Sequence, residues 1–158
     1  MTKAHQYFIS VTLASLGVLN VSGTIADTAT ASTQTVIEAR REGFKKMGAA
    51  MKALSDQAKQ AAPDLAKMTA ASQTISTAAP QQFQWFPAGT GPESGIETDA
   101  LEHIWQDRTK FESLASKLAG ESKTLTATVA GGDLAAIKTQ VKAVGEVCST
   151  CHKSFRAD

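Results

Sequence analysis

Val144-Gly145-Glu146-Val147-Cys148-Ser149-Thr150-Cys151-His152-Lys153-Ser154-Phe155-Arg156 lies near the C-terminus of the 158-residue chain. Cys148 and Cys151 stand three residues apart and His152 follows directly. On a helix, residues three and four apart share a face, so both sulfurs and the imidazole can address one flat partner. Cys-x-x-Cys-His is the spacing of covalent haem c attachment: two thioethers to the haem vinyl positions and an imidazole turned to iron. A dithiol redox pair normally opens a helix after a strand, and a zinc site needs two more good ligands. No strand pattern precedes the motif, and the chain has no other cysteine.

Working outward, the apolar residues upstream recur at helical spacings. Leu134, Ile137, Val141, Val144, Val147 and Phe155 predict a helix running from Asp133, a plausible N-cap. Before it, Leu101, Ile104, Trp105, Phe111, Leu114, Leu118, Leu125 and Val129 predict a helix from Asp99 to Gly131-Gly132. Val36, Ile37, Phe44, Met47, Met51 and Leu54 mark a first helix over Thr35 to Leu54. Pro63 opens a thinner second one, with Leu65, Met68, Ile75 and Ala79, which stops at Pro80. Between them, residues 81–98 contain Pro87, Pro92 and Ala88-Gly89-Thr90-Gly91 and read as a long connection. Four helices with two short links and one long one predict an all-α, antiparallel up-down four-helix bundle carrying one covalent haem.

The N-terminus predicts an export leader over residues 1–26: Lys3 in a polar start, a mostly apolar run from Phe8 to Val21, then small residues. Cleavage falls after Ala26 or as late as Ala31, leaving a single domain over 27–158. The apolar run is interrupted by Ser10, Thr12, Ser15 and Asn20 and is shorter than the roughly 20 residues a membrane span needs. Loss of the leader removes His5, so His103 and His152 are the only histidines of the mature chain. A net charge of +1 with both signs dispersed offers no basic stripe for phosphates, which argues against nucleic acid as a partner.

The C-terminal stretch, with Glu38-Ala39-Arg40-Arg41-Glu42-Gly43-Phe44-Lys45-Lys46-Met47-Gly48 and Trp85-Phe86-Pro87-Ala88-Gly89-Thr90, resembles the cytochromes c′, the class II c-type cytochromes. The resemblance spans essentially the whole chain after the leader. It implies a periplasmic, non-enzymatic protein with one haem c, bound through Cys148 and Cys151 and ligated by His152. It also places Phe44, four residues after Arg40, as the distal cap over the iron. Phe has no lone pair to give iron, so the iron would stay five-coordinate and open to NO and CO, with Fe(II)/Fe(III) cycling by an outside electron-donor protein. Protection against NO is the role the resemblance suggests.

The same resemblance puts Arg40 near the haem propionates, Phe86 and Trp85 at the haem wall, and Arg156 beside the proximal pocket. It also implies a possible homodimer through the first two helices. Several residues keep plainer alternatives. Arg40 also reads as a solvated surface charge, Arg156 as a cation at a helix C-terminus, and Met47 and Met51 as core filling. The alternative for Met47 is to close the sixth position in a low-spin electron carrier of the c556 type. His103 lies off the main stripe and reads as a surface histidine. A peroxidase-like enzyme would need a polar base and acid beside the iron, and Phe44 is neither.

Overall fold

The computed structural model describes the backbone from residue 22 to 157 and side chains from 32. The expected leader lies for the most part outside the described residues. Helix α1 (Ser22–Ala58) is followed by α2 (Leu65–Ala78), a short α3 (His103–Gln106), α4 (Arg108–Gly131) and α5 (Leu134–Phe155). The long helices form a ring in which α1 packs on α2, α2 on α4 and α4 on α5. Short links make α1 antiparallel to α2 and α4 antiparallel to α5, with one long connection between the pairs, as in an up-down four-helix bundle. The ring closes where α1 meets α5, the pair that touches least. Among the described residues, no helix is long and apolar enough to cross a membrane.

Local chemistry sets the element ends. Asp64 caps α2, its carboxylate accepting from Lys67 N at 3.1 Å. Pro63 therefore sits just ahead of the cap instead of opening the helix. The end of α1 is tied to this point, since Gln57 Oε1 accepts from Asp64 N at 2.8 Å. Asp133 caps α5 as expected, accepting from Ala135 N and Ala136 N at 2.9 and 3.2 Å. Gly132 ends α4 with φ of 74°, a left-handed turn that glycine makes without strain.

Two predicted boundaries are corrected. Helix α1 starts well before Thr35, through a Ser-, Thr- and Ala-rich stretch whose lack of apolar period hid it. The third long helix starts at Arg108 and not at Asp99, because Asp107 (φ −120°, ψ 62°) breaks the backbone and caps α4 by accepting from Lys110 N. Ahead of α3, residues 99–101 are drawn away by the C-terminus. Ala100 forms an antiparallel bridge with Arg156, Leu101 N donates to Phe155 O at 3.0 Å, and Ala157 N donates to Asp99 O at 2.8 Å.

The predicted stripes fill the core. Ile37, Leu54, Met68, Ile75, Ile104, Phe111, Leu125, Ile137 and Val144 are all buried. Leu65 and Leu134, each first in its helix, stay 41% and 36% exposed. The connection after α2 is ordered. It opens as a 3-10 helix (Ala79–Phe83) that accommodates Pro80, and Arg108 Nη1 then donates to Phe86 O at 2.8 Å.

Candidate functional site

Helix α5 runs unbroken through the Cys-x-x-Cys-His motif, which puts Cys148, Cys151 and His152 on the face turned to α1. All three border a cavity of about 530 Å³ inside the bundle, lined chiefly by α1, α4, α5 and the connection after α2. Both thiols are half-buried against core side chains. Burial pushes the Cys148 thiol up, and the Cys151 thiol up to about 11, with the adjacent Cys148 adding to the effect. Both are therefore neutral thiols at neutral pH, unlike the thiolates of dithiol redox motifs. His152 stands at the cavity mouth, more exposed than the cysteines. What cover it has, and then the charge of Arg156, hold its pKa below the usual value.

From the opposite side, α1 presents Phe44, Met47, Gly48 and Met51 to the same cavity. The spacing of three and four along α1 aims them together. Phe44 is braced edge-on by Trp85 at 5.1 Å between ring centroids and packs on Phe86 at 6.0 Å. Trp85 does not border the cavity; it stands behind Phe44, with its ring against Gly43. A β-carbon at 43 would run into that ring, so glycine is what lets the indole approach α1. Phe86 does border the cavity and continues the aromatic contact to Phe111 at 4.8 Å, which meets Phe155 of α5 at 5.6 Å.

Arg40 also lines the cavity, yet it is only 3% exposed, so it is not a solvated charge. Its guanidinium is held almost wholly by the connection after α2. Nη1 donates to Trp85 O and Thr90 Oγ1 at 3.4 and 3.3 Å, and Nη2 to Thr90 O and Thr98 Oγ1 at 2.9 and 2.8 Å. The guanidinium carbon lies 4.7 Å from the Phe86 ring centre, a cation–π contact. Burial lowers its pKa and the charge of Glu93 opposes that shift. A buried cation persists when its donors are used and a counter-charge is near.

Arg156 reaches the cavity edge, with Nη2 3.6 Å from Asp99 Oδ2 in an exposed pair. Its backbone N–H donates to His152 O, closing the last turn of α5. Exposed pairs of this kind contribute little to stability, roughly 0–1 kcal/mol. His103 is exposed and apart from the cavity, as expected. Thr98, Gln82, Phe111 and Phe155 also line the site, and no motif or spacing marks them for it. Phe111 and Phe155 read as ordinary stripe positions, and Thr98 and Gln82 lay in or beside a connection whose path no periodicity describes.

Two thiols and an imidazole open onto one cavity whose remaining lining is mostly apolar, with cations Arg41, Lys45 and Arg156 at its edge. That donor set fits haem c: sulfur for two thioethers, nitrogen for iron, apolar walls for the macrocycle and positive charge for its carboxylates. The comparisons agree. The family model described as Cytochrome C′ matches residues 35–156. Cytochrome c-556 from Agrobacterium tumefaciens is 36% identical over 74% of this chain and 93% of its own length. A cytochrome c′ from Rhodopseudomonas palustris is 32% identical over 92% of this chain and 94% of its own.

Solved structures share the fold. A cytochrome c′ with an unusual ligand-controlled dimer dissociation superposes with a TM-score of 0.74 at 25% identity, over 80% of this chain and 97% of that one. The nitric oxide complex of a mutant cytochrome c prime from Alcaligenes xylosoxidans gives 0.71 at 23% identity, over 80% and 96%.

Proposed function

Because this chain belongs to the cytochrome c′ family, we propose that it is a periplasmic haem c protein that admits nitric oxide and carbon monoxide to an iron held from one side only, by His152. Haem c, when bound, supplies a redox-active iron that takes small ligands and exchanges single electrons with an outside donor. Cys148 and Cys151 would hold it through their sulfurs, and His152 would supply a nitrogen to the iron. The observation that carries the reading is Phe44, an aromatic side chain with no lone pair, facing the motif across the same cavity. Phe44 is braced by Trp85 and Phe86, and opposite a haem held by the motif its ring would admit only a small neutral molecule able to displace its edge. Apolar lining from Met47, Met51, Leu114 and Leu118 favours uncharged gases over hydrated anions. Nitric oxide, the ligand of the A. xylosoxidans structure, is the first gas to test.

Phe44 is neither acid nor base, so the proposal is binding and electron exchange without catalytic turnover. A homodimer through α1 and α2 is part of the proposal, supported by the family member whose dimer responds to ligand.

A second reading, an electron carrier of the c-556 kind, rests on Met47, which is 6% exposed and lines the cavity one turn along α1 from Phe44. A thioether there would close the iron's remaining position. Absorption and EPR spectra of the mature holoprotein, oxidised and reduced, followed by addition of CO and NO to the reduced form, decide between them. High-spin iron that takes up both gases is expected. A fully low-spin, gas-resistant spectrum would reject the proposal and favour Met47 as a ligand.

A further inference from the structure

Residues 85–101 carry polar connections that haem attachment does not require, and Thr98 sits at their centre, half-buried at the cavity. Its Oγ1 accepts from Arg40 Nη2 of α1 at 2.8 Å and from the backbone N of Ala100 at 3.1 Å. A hydroxyl oxygen has two lone pairs, so one atom can serve both donors. Ala100 is bridged to Arg156, while Leu101 N and Ala157 N complete the backbone pairing on either side of it. Phe155, which accepts from Leu101 N, is the last residue of α5 and stands three residues after His152. At its other end the segment is held to α1 by the remaining donors of Arg40, four residues before Phe44.

We infer that Thr98 is a positioning residue: by joining Arg40 of α1 to the backbone clasp at the end of α5, it straps the 85–101 segment across the cavity and holds Phe86 and Phe44 in their closed arrangement. The strap reaches the distal cap because the Arg40 guanidinium lies on Phe86, which packs on Phe44. Arg108 Nη1 holds Phe86 O at 2.8 Å, so loosening the join leaves that backbone in place but frees residues 98–101 and removes one of the acceptors that fix the Arg40 guanidinium on the Phe86 ring. The role in ligand access rests on the gas-binding reading; the join itself does not.

The test uses the holoprotein and two substitutions, Thr98→Val, which keeps the shape and removes the acceptor, and Thr98→Ser, which restores the hydroxyl. Amide exchange at Leu101 and Ala157 is expected to quicken about tenfold or more in Thr98→Val, the effect of losing a hydrogen bond to a charged group. The CO association rate of the reduced protein is expected to rise severalfold. Both should return towards wild type in Thr98→Ser. Unchanged exchange at 101 and 157 overturns the join, and faster exchange with an unchanged CO rate overturns its role in access. A wild-type protein that takes no CO overturns the gas-binding reading instead, and the join is then decided by exchange rates alone.

Discussion

Phe44 depends on one residue far along the chain and on the one that directly precedes it. Trp85 supports its edge and Gly43 makes room for Trp85. If the ring is the obstacle to gases, Phe44→Ala should raise the CO association rate roughly tenfold, the effect of about 1.4 kcal/mol off a steric barrier. Flash photolysis of the CO-bound reduced protein measures it, and an unchanged rate would remove Phe44 from the access route. Gly43→Ala acts on the same group indirectly. The added methyl must displace the indole, an overpacking that costs about 1–3 kcal/mol, so a lower Tm should come with a shift in tryptophan fluorescence. Arg40 marks how far single residues can be read from sequence. A propionate partner and a solvated cation were the two sequence readings, and burial excludes the second. The residues that bury it lie 45 to 58 positions downstream, where no local pattern points back to it.

At the scale of elements, caps and stripes were legible because both act over one or two turns: Asp133, Gly132 and the apolar face of α5 are where the spacing puts them. The start of α4 was not, since Ile104 and Trp105 keep helical period with Phe111 although Asp107 breaks the backbone between them. What turns residues 99–101 away from helix is pairing with the C-terminus, a contact across more than 50 residues. The cap of α2 carries a pH dependence. Hydrogen bonds from Lys67, backbone first, hold the Asp64 carboxyl below its usual pKa. A depressed pKa contributes stability that is present above the unfolded value of about 4 and lost as pH falls through the folded value. The Tm should therefore decline on acidification, and Asp64→Asn, which still caps but does not titrate, should flatten that part of the profile. Identical pH profiles for the two proteins would show that the cap carries no linkage.

For the whole molecule, α1 and α5 make the thinnest contact of the ring, and the cavity inside the bundle stands between α1 on one side and α4 and α5 on the other. At about 24 cal/mol per Å³, a dry void of about 530 Å³ would cost on the order of 13 kcal/mol, comparable to the 5–15 kcal/mol that stabilises a typical domain. A chain that never receives haem cannot keep this cavity both dry and open; it must admit water or let α1 and α5 close in. The part of the α2–α4 seam away from the cavity, where Met68 and Leu125 are fully buried, has no such dependence. The double substitution Cys148→Ser, Cys151→Ser, which prevents attachment, is therefore expected to yield a helical but loosened protein with a much lower Tm. Amides of α1 around 40–51 and of α5 around 147–155 should exchange orders of magnitude faster than in the holoprotein, while those of α2 and α4 near their shared seam keep most of their protection. Uniform loss across all four helices would mean that the bundle folds as one unit around haem. Uniform retention would mean that the α1–α5 seam is held by the Arg40–Thr98 strap and the C-terminal clasp without any help from haem.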